Sequence, residues 1–179
     1  MRDIDFVPDV VAELAPQLPE IERRFNAENE QFKKLLAKDH ELIGRVLKCH
    51  LIIENYVNRH LVEVAPKHDW LKARLNFSQK LSLLPSGNPK VEWILPGIKN
   101  INAIRNKFGH DIEARVELQD LNDCIHVLSV ARRNKKYVEP SEIIEDFTVV
   151  SCTWLIVDSR IDQIFSEAFS RVKKRAGII

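Results

Sequence analysis

The chain has 179 residues, of which 45% are hydrophobic and 30% charged, with only 5 glycines and 8 prolines. That balance belongs to a globular chain with a real core and excludes disordered, collagen-like and low-complexity classes. Lys and Arg number 27 against 26 Asp and Glu, a net charge of +1. Coating nucleic acid by bulk charge is thereby excluded, although a small basic site is not.

The N-terminus, MRDIDFVPDV, carries acids early and lacks the apolar run of a signal peptide. The longest apolar stretch, near Phe147 to Val157, is too short and too polar to span a bilayer. Cys49, Cys124 and Cys152 are odd in number, far apart and set among apolar residues. They read as reduced thiols packed in a cytoplasmic protein with no membrane partner.

In chain order, Glu20 to Ala37 is a charged helix with a thin apolar stripe of Ile21, Phe25, Phe32, Leu35 and Leu36. Asp39 is placed to cap the next helix, Glu41 to Val64, where Leu42, Ile43, Val46, Leu47, Cys49, Ile53, Tyr56, Val57, Leu61 and Val64 recur at helical spacing. A short helix covers Asn76 to Leu84, with Asn76 or Ser78 near its start, and Pro85 to Pro89 (PSGNP) is a loop. Pro96 opens a further helix that Gly109 ends after Phe108.

Leu118 to Arg132 is amphipathic and stops at the polar run Arg132 to Lys136. Ser141 to Lys173 reads as one more helix. Its β-branched first half would suit a strand, but no second strand pattern exists to pair with it. The expected fold is a single all-α domain over 1–179, a bundle of about five or six helices with its best-supported core at 41–130. The N-terminal helix and the helix at 141–173 are expected to pack on that core.

Phosphate-loop, zincin, nucleophile-elbow and EF-hand patterns are absent. The six histidines are not spaced with Cys, Asp or Glu as metal ligands, so neither metal nor cofactor is expected. Two anomalies remain. In GIKNINAIRNKFGHD, Arg105 falls inside the apolar arc of Ile98, Ile101, Ile104 and Phe108. A guanidinium so placed needs an acid, carbonyls or a bound anion. Gly109 is expected to release the helix so that His110 turns back toward Arg105.

The second anomaly is His50 and Glu54, one turn apart on the apolar arc of the helix at 41–64. Either they pair with each other, or Glu54 orients Arg105 or His110 across a helix contact.

The run Arg105-Asn106-Lys107-Phe108-Gly109-His110 resembles the R-x4-6-H motif of HEPN proteins, small helical dimers found among nucleases, toxins and defence proteins. The preceding order is also similar: a long helix with an inward acid (Glu54), the segment FSQKLSLL, a loop and the motif helix. A second match to the pattern, Arg45 to His50, lies in mid-helix, where five residues set the side chains ~140° apart.

The resemblance implies metal-independent RNA cleavage or RNA binding at a dimer-interface cleft, with 2′,3′-cyclic phosphate and 5′-hydroxyl ends as products. His110 would be the base and Arg105 the charge that meets the phosphorane, while Asn106 holds the histidine or a phosphate oxygen and Glu54 supports them. Implied partners are a second copy, RNA, and an antitoxin or regulatory protein. The alternative is a catalytically inactive regulatory or defence-associated interaction module of the same family. Trp70, Trp93 and Trp154 read as core or interface residues.

Overall fold

The computed structural model describes residues 7–36, 40–68, 70, 72–111, 113–132 and 135–176. All regular structure among them is helical. They fall into two compact units, residues 1–40 and 41–179.

The first unit holds α1 (Val7–Leu14), a 3-10 turn over Ala15–Gln17, and α2 (Leu18–Leu36). Pro8 and Pro19 sit in the first turns of α1 and α2, where a missing N–H costs nothing. α2 is laced by local ion pairs: Glu20 binds Arg23 at 2.6 Å and Arg24 at 2.8 Å, and Glu30 binds Lys33 at 2.9 Å. Those guanidinium bonds hold the Glu20 carboxyl below its ordinary range. Leu18, Ile21, Phe25 and Phe32 of α2 stay exposed.

The second unit runs α3 (His40–Val64), α4 (Phe77–Ser82), α5 (Pro89–His110), α6 (Asn122–Ala131), α7 (Pro140–Leu155) and α8 (Ser159–Arg175). Of the expected stripe of α3, Val46, Cys49, Ile53, Val57 and Leu61 are buried and Leu42, Ile43 and Tyr56 partly so, whereas Leu47 and Val64 are exposed. Asn76 caps α4 through a reciprocal capping box with Gln79, each bond 2.9 Å. Asp39, the expected cap of α3, lies outside the described residues.

α5 is the central element and packs against α6, α7 and α8. It starts at Pro89, a full two turns before the expected start at Pro96. Asn88 caps it by accepting from the Lys90 N–H at 3.1 Å, and Pro89 takes the position where no N–H is needed. Pro96 therefore lies within the helix, exposed, and denies one N–H to the backbone ladder. One turn of α5 is glycine for a steric reason. A β-carbon on Gly97 would come 2.4 Å from Cζ of the fully buried Phe147 on α7.

The expected helix at 141–173 is two helices. Ile156 is extended, and Asp158 opens α8 by accepting from the N–H groups of Arg160 and Ile161, both at 3.0 Å. The β-branched stretch before the break is helical, with Thr148 and Thr153 returning their hydroxyls to the carbonyls of Ile144 and Val149.

That break is held from below. Lys90, 1% exposed, donates to the Ile156 carbonyl at 2.8 Å and pairs with Asp162 at 2.6 Å. His60 Nδ1 bonds the Leu155 carbonyl at 2.7 Å. Two side chains from α5 and α3 thus take the last carbonyls of α7, which have no partner within their own helix. No helix among the described residues is long and apolar enough to cross a membrane.

Candidate functional site

α3 and α5 meet beside the first turn of α4 and leave a cleft of about 370 Å³. Its side chains follow from helical spacing. His50 and Glu54 are one turn apart on α3, and Asn102, Arg105 and Asn106 stand at i, i+3 and i+4 on α5. Asn76, Phe77 and Ser78 close one end. The cleft therefore brings together Glu54, Arg105 and Asn106, three of the four expected site residues, with His50, the other half of the second anomaly.

Arg105 does not enter the core. Ile98, Ile101 and Ile104 are buried, whereas Arg105 is exposed at the margin of their arc. Its Nη1–H donates to Asn106 Oδ1 at 3.1 Å, and it forms no ion pair with a described carboxylate. Among the described residues, a permanently charged group is thus left facing a polar cavity with only an amide oxygen as partner.

His50 and Glu54 do not bond each other. The imidazole, 6% exposed, donates its Nε2–H to Asn102 Oδ1 at 3.1 Å and packs 4.4 Å from the Phe77 ring. Because an amide oxygen only accepts, this bond leaves Nδ1 as the lone-pair nitrogen of the neutral ring. Glu54 instead meets Lys80 of α4 at 2.6 Å.

Burial lowers the His50 pKa below the ordinary histidine value. The Asn102 bond and the Glu54 charge oppose that shift, while the Arg105 charge adds to it. Burial and the neighbouring guanidinium thus both favour the neutral form of the imidazole.

His110 stands elsewhere. The expected release at Gly109 does not occur: α5 continues through His110, and Asp111 ends it by donating its N–H to the Lys107 carbonyl at 2.9 Å. Gly87, not Gly109, carries the positive φ, at 89°. Without a break, Arg105 and His110 leave the helix ~140° apart, the same relation as Arg45 and His50. His110 is exposed and does not line the cleft.

Asn102, Asn76 and Ser78 were not singled out from the sequence. Asn102 had one legible signal, its position one turn before Arg105 and Asn106. The other two reach the site through tertiary packing. The Arg45 of the second motif match is spent on Glu41 and Glu145, both at 2.5 Å.

The three cysteines are free and buried, and burial raises the pKa of each, that of Cys152 up to about 11. None is an activated thiol. No cluster of three His, Cys, Asp or Glu side chains suited to a metal occurs among the described residues. Compared with protein-family models, curated proteins and solved structures, the chain has no match.

Proposed function

We propose that this chain binds the phosphodiester backbone of RNA in the cleft of α3, α4 and α5 and cleaves it without a metal ion. The observation that carries the reading is the Arg105 guanidinium, without a carboxylate partner among the described residues, sharing that cleft with the neutral His50 imidazole. A fixed cation suits the charge that develops on a phosphorane, and a neutral imidazole suits removal of the ribose 2′-hydroxyl proton. Asn106 steadies the guanidinium and Asn102 fixes the imidazole tautomer. The products expected of that step are a 2′,3′-cyclic phosphate and a 5′-hydroxyl.

The resemblance to HEPN proteins, which rests on Arg105 and His110, implies RNA cleavage or binding and adds a homodimer, while the three apolar, unpaired cysteines suit a cytoplasmic setting. His110 takes part only if a second copy presents it to the Arg105 cleft, since one chain keeps the two apart.

The test incubates the full chain with single-stranded RNA in EDTA and compares Arg105→Ala, His50→Gln and His110→Ala. Cleavage lost in Arg105→Ala and His50→Gln but kept in His110→Ala supports a site within one chain. If His110→Ala is also inactive, mixing it with Arg105→Ala restores up to about half of the activity per heterodimer when the site is shared. Absence of cleavage, together with unchanged RNA affinity in Arg105→Ala, overturns the proposal.

A further inference from the structure

A second concavity has the opposite chemistry. About 340 Å³ of groove lies between α8 and the ends of α6 and α7, lined by Trp93, Trp154, Ile164, Phe165, Ala168 and Phe169. The four aromatic rings form a connected wall. Trp93 meets Phe169 at 5.5 Å and Trp154 at 6.4 Å, and Trp154 meets Phe165 at 5.2 Å, all edge to face.

The groove is open: Ile164 is 51% exposed, and α8 has no fully buried residue. The indole N–H of Trp93 is buried without an acceptor among the described residues. An apolar face of this kind on a polar helix marks an interaction site.

Charge says what fits. α8 carries five cations against two acids. Residues seven apart share a helix face to within ~20°, so Arg171, which also meets Glu167 at 3.6 Å, continues the line of Ile164, and Arg175 that of Ala168. Arg132 follows the groove-lining end of α6. We infer that the groove docks an amphipathic helix of another protein, with bulky apolar side chains among the four rings and Asp or Glu against the basic rim.

A second copy is disfavoured here because it would bring an equally basic α8 against this one. An anionic membrane surface is the rival occupant, and the vesicle arm of the experiment distinguishes it.

The experiment follows the tryptophan emission of the full chain during titration with a Trp-free helical peptide of about 16 residues, ~24 Å long. Leu and Phe occupy one face and Glu the other. A second peptide replaces every Glu by Lys, and a third probe is phosphatidylcholine vesicles containing phosphatidylserine.

The expected result is saturable binding of the acidic peptide, at least about tenfold tighter than the basic one and weakened by salt. Ile164→Glu abolishes it with the circular dichroism unchanged, because residue 164 is on the surface. Arg171→Glu weakens the acidic peptide and strengthens the basic one. Equal affinity for both peptides, binding that survives Ile164→Glu, preference for vesicles, or a dimer that Ile164→Glu dissociates would each overturn the inference.

Discussion

His50 and Arg105, from different helices, line one cleft, and the guanidinium helps burial to keep the imidazole uncharged. α3 contributes His50 and Glu54 and α5 contributes Arg105, and Asn102 and Asn106 bond the imidazole and the guanidinium respectively. The site is therefore a product of how α3 and α5 meet. It does not arise from the five-residue spacing along α5.

That relationship sets a pH dependence. Because the folded His50 pKa is lowered, the unfolded chain takes up a proton that the folded one resists. The stability tied to this group is full above its unfolded pKa of about 6.5 and is lost as pH falls through the lower, folded value. Urea midpoints of the native protein are expected to fall more steeply between about pH 7 and pH 5 than those of His50→Gln. Parallel pH profiles would show that the imidazole titrates as it does in the unfolded chain.

Gly109 offers a sharper check on the motif helix. It lies inside α5, with nothing within 4 Å of where a β-carbon would stand. Gly109→Ala should therefore stabilise the protein by ~0.5–1 kcal/mol, seen as a higher thermal midpoint. A loss of stability would mean that residue 109 needs a left-handed conformation and that the helix ends before it.

Lys90 is expected to be far less forgiving. Removing the ammonium by Lys90→Ala leaves the Ile156 carbonyl without its donor and Asp162 without its counter-ion, and opens a cavity where a fully buried stem lay. Breaking a buried pair from one side costs ~3–5 kcal/mol. Lys90→Met combined with Asp162→Asn should recover part of that loss, because the stem is refilled and the stranded charge is gone. Denaturant melts of the three proteins measure the difference, and an unchanged midpoint for Lys90→Ala would refute the bond network.

Where local chemistry decides, the sequence was readable. The buried part of the α3 stripe, the Asn76 cap and the loop from Pro85 to Gly87, short of its expected last two residues, depend on neighbours within one turn. Pro96 misled because proline favours a first turn, and nothing local says that Asn88 and Pro89 had already begun the helix. The break at Ile156 was hidden by unbroken amphipathic spacing, although Asp158 is an ordinary cap.

Arg105 and Glu54 were visible as charges near apolar arcs, but their partners were not. Glu54 is met by Lys80 and His50 by Asn102, each from another helix, and such pairings leave no trace in spacing along one chain. Nor does composition mark the division near residue 40, since between Pro19 and Pro66 the chain has no proline and a single glycine.

The three buried thiols have a practical use. Cys49, Cys124 and Cys152 lie on α3, α6 and α7 and are shielded from solvent in the folded chain. An alkylating reagent reaches each one only when its own helix opens, so three single-cysteine versions would clock three local openings separately. Nature has installed the reporters already, and no label need be engineered into the surface.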